Sequence, residues 1–278
     1  YYWLNEKENP EVIDYLEREN DYYQKMTAHT KDFQKDLFEE MKARIKEDDA
    51  SLPYKLNGYF YITRFEKGKD YPIYTRKKDS LEAPEEILFD VNQMAKGHSY
   101  YNLRGISISP DNTMASFGVD TLSRRKYTIY IKNLVTGKLM QEVIPLTTGG
   151  ATWANDNKTI FYSKKDEQTL RSNQIFKHTL GQDPTDDQNV FTEEDETFST
   201  FVYKTKSKKY IVIGSLSTLS TEYQILDANT PNETFKMFQP RERGLEYNIA
   251  HYQGSFYIVT NKDSATNFKL MKTPEDKT

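Results

Sequence analysis

Gly105-Ile-Ser-Ile-Ser-Pro-Asp-Asn-Thr-Met-Ala-Ser-Phe117 and Ala151-Thr-Trp-Ala-Asn-Asp-Asn-Lys-Thr-Ile-Phe-Tyr162 decide the fold. In both, a short apolar strand runs into an Asp-Asn turn, and a second strand leaves at the same offset. Asp-Asn between two apolar runs is a turn signal, and the flanking strands read as a hairpin. Looser copies lie at Tyr203–Ile213 and Asn248–Ile258, with an earlier one around Asn57-Gly-Tyr-Phe-Tyr-Ile62. All-strand repeats spaced by roughly 40 to 50 residues read as propeller blades. Polar stretches such as Gly181–Gln188 and Asp227–Glu233 then become turns between strands.

Before residue 51 the pattern is different. Asn9 can cap a helix that has Pro10 at its first position, with Val12, Ile13, Leu16 and Tyr23 following at helical spacing. A second helix can begin near Thr30, where Phe33, Leu37, Phe38, Met41 and Ile45 make an apolar stripe opposite Lys31, Lys35, Glu39 and Lys42. The expected layout is a helical arm over residues 1–50 and a mainly β, propeller-like region over 51–278.

Composition narrows the function classes. A net charge of -4 over 278 residues gives no field that would draw nucleic acid or a membrane surface. No apolar run reaches the roughly 20 residues needed to span a bilayer. The 36% hydrophobic content with 21 tyrosines suits pleated sheets in which a Tyr ring packs and its hydroxyl stays near water. The absence of cysteine removes disulfides and thiolate chemistry and fits a reducing cytoplasm. The chain opens on Tyr1 and not on Met, so its N-terminus reads as trimmed, and the periplasm stays open as a location.

The search for chemistry returns little. Gly-x-Ser-x-Gly, Walker and dinucleotide-binding loops are missing, and Gly149-Gly150 lacks the partners that would cradle phosphate. His29, His98, His178 and His251 have no metal-ligand spacing, so no metal or cofactor is expected. Acids such as Glu193, Glu194 and Asp195 read as a solvated loop, and Lys204, Lys206, Lys208 and Lys209 as a solvated strand edge. In Asp120-Thr-Leu-Ser-Arg124-Arg125-Lys126, two guanidinium groups follow a strand in a loop placed to reach a blade end, and their planar forks suit carboxylates. A solvent-exposed turn is the alternative.

Tyr1-Tyr-Trp-Leu4 followed by Asn9–Asn20 resembles the opening of the prolyl oligopeptidase family of serine peptidases, within it the oligopeptidase B (protease II) branch. The similarity continues in order through Asn57–Tyr61, Ile108–Asn112, Asp120–Tyr127, Asn133–Gly137, Trp153–Asp156, Glu193–Thr197, Thr205–Ile213, His251–Gln253 and Asn267–Leu270. The resemblance implies a seven-bladed propeller that screens substrates for a C-terminal α/β-hydrolase domain, the arm packing on that domain. It also implies cleavage of short peptides after Arg or Lys, with the serine, aspartate and histidine of catalysis outside these 278 residues. By the same resemblance the Arg124–Arg125 loop faces the hydrolase domain, together with acids near Asp49.

Seven blades of roughly 50 residues need about 350, whereas Ser51–Thr278 supplies four or five. The sequence therefore reads as an N-terminal piece of a longer peptidase, inactive by itself and prone to self-association through uncovered strand edges and the arm's stripe. The alternative is an independent propeller that binds a protein or small ligand without catalysis, which the family-like arm disfavours.

Overall fold

The structure is a computed structural model that describes residues 1–278. Helix α1 (Pro10–Met26) starts where Asn9 accepts the Glu11 amide, and α2 (Lys31–Ala43) follows a short 3-10 turn. Neither helix lies against the sheets. Val12 is the only buried residue of the two, while Phe33, Phe38, Met41 and Ile45 stand exposed. The predicted stripe is thus present and uncovered. Beyond the arm, Ala50 bridges to Arg64 and leads into the first sheet.

Eighteen antiparallel strands follow. The first blade is β1 (Tyr54–Leu56), β2 (Tyr59–Arg64), β3 (Ile73–Lys78) and β4 (Glu85–Asp90), and the one-turn helix α3 (Val91–Met94) leaves it. Next come β5 (Asn102–Ile108), β6 (Met114–Asp120), β7 (Tyr127–Asn133), β8 (Leu139–Trp153), β9 (Thr159–Lys165), β10 (Ser172–Thr179) and β11 (Gln188–Thr192), hydrogen-bonded as one seven-stranded sheet. The fourth blade is β12 (Ser199–Lys204), β13 (Tyr210–Leu216), β14 (Thr221–Asp227) and β15 (Lys236–Gln239). A three-stranded fifth consists of β16 (Tyr247–Tyr252), β17 (Ser255–Thr260) and β18 (Lys269–Pro274). No strand of the first sheet pairs with one of the last, so the ring is open, a partial propeller.

The seven-stranded sheet contains two blades because β8 belongs to both. Its first half is the outer strand beside β7, with Ile129 opposite Ile144, and its second half is the inner strand beside β9, with Trp153 opposite Ile160. The register breaks between Thr147 and Ala151, where Gly149 has a φ of +91°. This crossover presses on β5 and β6. A Cβ on Gly118 would fall 2.3 Å from the Gly149 Cα, and one on Gly105 would fall 2.3 Å from the Gly149 carbonyl oxygen. The Gly149-Gly150 pair therefore permits close packing of backbone on backbone.

The Asp-Asn turns form as the spacing predicts. Asn112 and Asn157 take φ values of +64° and +60°. Asp111 accepts the Thr113 amide, and Asp156 accepts the amides of Lys158 and Thr159. Burial pushes the Asp111 carboxyl up, but the Ser109 hydroxyl and the Thr113 groups outweigh it and hold the carboxyl below the usual carboxylate range.

Core residues meet between blades. Tyr61, Leu88 and Phe89 of the first blade pack on Leu103, Ala115 and Phe117 of the second, and Ile129 and Ile131 on Trp153 and Ile160 of the third. Phe161 packs on Ile211 and Leu226, and Val212 and Tyr223 on Ile249 and Phe256. Each fully buried large side chain contributes about 1.5–3 kcal/mol, so the face-to-face contacts hold the blades together. Three tyrosine hydroxyls depart from the expectation that they stay near water, while Tyr22, Tyr23 and Tyr252 are exposed. Tyr162 donates to Asp187 at 2.8 Å, Tyr127 to Asn102 at 2.9 Å and Tyr223 to Asn248 at 3.1 Å, because a hydroxyl carried into the interior needs a protein partner.

Candidate functional site

Strand direction gives the propeller two ends. At one end lie the turns joining the first and second strands of each blade, and these turns bond to one another. Asn112 Nδ2 donates to the Asn57 carbonyl at 3.0 Å, the Asp111 amide to Asn157 Oδ1 at 2.9 Å, and Asn155 Nδ2 to the Lys208 carbonyl at 3.0 Å. Lys208 Nζ in turn donates to Asn57 Oδ1, so the tips of the first four blades form a closed circuit. Lys204 donates to Asn155 Oδ1 at 2.8 Å, and burial, with Lys208 nearby, pushes its ammonium down to about 8. The lysine run read as a solvated edge is therefore mostly engaged: Lys204, Lys208 and Lys209 each hold a partner on another blade, and the exposed Lys206 has none. The inner hairpin tip of one blade points at its neighbours, which local charge alternation cannot reveal.

The fifth blade joins this end through an arrangement that sequence spacing hides. His251 Nδ1 lies 2.9 Å from Ser207 Oγ, and His251 Nε2 lies 2.9 Å from Glu275 Oε2. The order hydroxyl, imidazole, carboxylate is that of a nucleophile relay. Ser207 Oγ, however, is also 2.9 Å from the Thr205 hydroxyl within its own turn, and none of the main clefts touches Ser207, His251 or Glu275. The group acts as a clamp between blades. Lys209, 2.6 Å away, is the main influence holding the Glu275 carboxyl below the usual carboxylate range, with His251 adding to it.

At the opposite end lie the blade-to-blade crossovers and the loops from second to third strands. Here the Arg124–Arg125 loop is tied down by Asp120, which is buried and accepts the Leu122 amide at 2.8 Å and the Arg125 amide at 2.7 Å. Ser123 and Arg125 sit at φ +57° and +55°. Lys165 donates to the Arg125 carbonyl at 2.7 Å, and the Arg104 guanidinium lies 5.2 Å from the Tyr127 ring. Burial lowers the Lys165 ammonium below its ordinary value, and Arg125 and Arg104 lower it further. Positive charge thus gathers on the second and third blades, and neither Arg124, Arg125 nor Arg104 has a carboxylate within ion-pair distance.

Asp49 lies at the same end, where its carbonyl accepts the Phe65 amide at 2.8 Å. Its carboxylate bonds Lys46 at 3.2 Å and is held below the usual range by that contact first, so it does not meet the arginine loop. Farther round, Glu193 is buried against Arg241 at 2.5 Å, contrary to its reading as a solvated acid. Arg241 stacks 3.6 Å from the Phe198 ring, and Arg171 donates to the carbonyls of Asp195 and Phe198 at 2.9 and 2.7 Å. This pair builds the crossover from third to fourth blade, and no local motif marked either arginine.

The arrangement defines a class: an open β-propeller preceded by a helical arm, with unpaired cations at its crossover end. The chain matches over residues 1–278 the family described as "Prolyl oligopeptidase, N-terminal beta-propeller domain", and it belongs to that family. It is 38% identical over 295 residues to dipeptidyl aminopeptidase BI of Pseudoxanthomonas mexicana, covering 100% of this chain and 41% of that protein. To protease 2 of Moraxella lacunata it is 32% identical, covering 99% of this chain and 40% of the relative. The solved structure of oligopeptidase B from Leishmania major superposes with a TM-score of 0.92 at 32% identity, covering 100% of this chain and 40% of the other. The chain thus spans about 40% of the length of the relatives it matches. No helix is long and apolar enough to cross a membrane.

Proposed function

We propose that this chain is the gating and substrate-filtering propeller region of a serine oligopeptidase that cuts short peptides after Arg or Lys. The observation that carries the reading is the whole-length superposition on oligopeptidase B. In this reading acyl transfer by a Ser-His-Asp triad belongs to an α/β-hydrolase domain C-terminal to the propeller. The arm, residues 1–50, packs its exposed stripe on that domain, and residues 51–278 form the propeller region. The loop at Arg124 and Arg125, with Asp49 at the same end, supplies polar contacts to it. Unpaired guanidinium groups favour this, since their forks match carboxylates on a facing surface.

The test is turnover of short peptide amides by the longer protein. Arg and Lys at the cleaved position should give values of kcat/KM well above those for Pro or Ala, and Arg125→Glu should change turnover while the chain stays folded. Equal turnover of all four substrates would remove the specificity, and unchanged kinetics in the variant would remove the contact role of Arg125.

A further inference from the structure

We propose that the cleft between the second and third blades, at the hairpin-tip end, is a binding site for a primary alkylammonium group. It has a volume of about 650 Å³ and lies between the first half of β8 and the loop joining β10 to β11. The Leu180 amide donates to the Lys158 carbonyl at 2.9 Å and ties that loop to the tip of the third blade. The cleft is therefore at the end opposite the Arg125 loop, clear of the surface assigned above to a hydrolase domain.

Glu142 occupies a place that strand alternation gives to an apolar residue. It shares one face of β8 with Met140 and Ile144, which pack in the apolar cluster around Trp153 and Ile160, yet it carries a carboxylate that is 5% exposed. Its Oε1 accepts the Gly181 amide at 2.7 Å. Its Oε2 has no hydrogen-bond partner and is not sealed from solvent, and Glu142 lines the cleft. No lysine, arginine or histidine lies within ion-pair distance of it. A glutamate this buried is ordinarily paired, as Glu193 is with Arg241 at 2.5 Å. Asp183 adds a second carboxylate to the lining, also without an ion pair, and the Thr185 amide and hydroxyl hold it below the usual carboxylate range.

The free oxygen selects the ligand. With Oε1 held by Gly181, Glu142 offers one acceptor, which suits the point charge of an ammonium and not the two-pronged fork of a guanidinium. Two carboxylates fall short of a metal site, and no group of three or more metal-ligating side chains forms in the chain. Leu139, Met140 and Val143 offer apolar surface to an alkyl stem, and Gln141 and Gln182 bring amide groups for the remaining ammonium donors. A lysine side chain and a free diamine both present this chemistry. The inference goes beyond the peptidase reading and does not depend on it.

The test is calorimetric titration of the 278-residue chain with cadaverine, with a blocked tetrapeptide amide containing one Lys, and with the same peptide carrying Arg or norleucine instead. The Lys peptide should bind about tenfold more tightly than the norleucine peptide, with the Arg peptide between them. Tighter binding of cadaverine than of the Lys peptide would mark a free amine as the ligand and the reverse a lysine side chain, and either supports the site. Glu142→Gln keeps an acceptor for the Gly181 amide, so it should weaken both amines about tenfold while Tm stays level or rises, an uncompensated buried charge having been removed. In the native chain the Gly181 amide resonance should shift with cadaverine and saturate at the calorimetric affinity, a readout that needs no variant. No shift, equal binding of the Lys and norleucine peptides, or amine affinity unchanged in Glu142→Gln would overturn the proposal. The longer protein should bind the amines equally well, and loss of binding there would also overturn it. Missing turnover of peptides by that protein would end the peptidase reading and leave amine binding intact.

Discussion

Gly105 is a residue whose smallness can be costed. Its φ of +65° carries a penalty of about 1–2 kcal/mol for any side chain, and an added Cβ would also strike the Gly149 carbonyl at 2.3 Å. Gly137 has a similar φ of +73° but nothing within 4 Å. Gly137→Ala should therefore cost about 1 kcal/mol, and Gly105→Ala about 3 kcal/mol or more, because the backbone must also shift. Urea unfolding of both variants measures the difference, and equal losses would show that the close approach does not matter. Gly149 was visible in the sequence as half of a pair, but what it touches was not: its neighbours lie some 30 to 45 residues earlier in the chain, and no local spacing encodes them. Arg124 and Arg125 were easier to find. Their loop could be placed at a blade end from the preceding strand alone, although the Asp120 anchor that shapes it depends on backbone amides two and five residues on.

Hairpins were the most legible elements, because an Asp-Asn turn carries its own instructions: a side-chain acceptor for the returning amides and a residue that tolerates positive φ. The contents of the tips were less legible. Ser207, His251 and Glu275 come from three strands' ends and meet only once the blades stack. Glu275 gives that junction a pH signature. Its folded pKa lies below the ordinary value of 4.5, chiefly through Lys209, so the stability it adds is present above pH 4.5 and is lost as the pH falls through the depressed pKa. Thermal unfolding should thus show Tm dropping more steeply on acidification below pH 4.5 in the native chain than in Glu275→Gln. Parallel pH profiles for the two would mean that the clamp contributes nothing to β18.

At the scale of the whole molecule, the repeat grammar and the arm's stripe were both readable, since each depends on spacing along one strand or one helix. The sharing of β8 was not, because a strand that serves two blades looks in sequence like two strands with a polar join at Thr147–Gly150. That sharing makes the five blades unequal. The second and third are fastened by continuous main chain within one sheet, whereas the other junctions rest on side-chain contacts and isolated hydrogen bonds. A ring built this way melts in blocks, not blade by blade. Native-state hydrogen exchange in rising urea should release the amides of β6, β7 and β9 along a single isotherm, after those of β2 and β17 have opened; separate isotherms for β7 and β9 would contradict it. The propeller then has a rigid pair of blades beside more loosely joined neighbours, and its outward movements hinge at the edges of that pair.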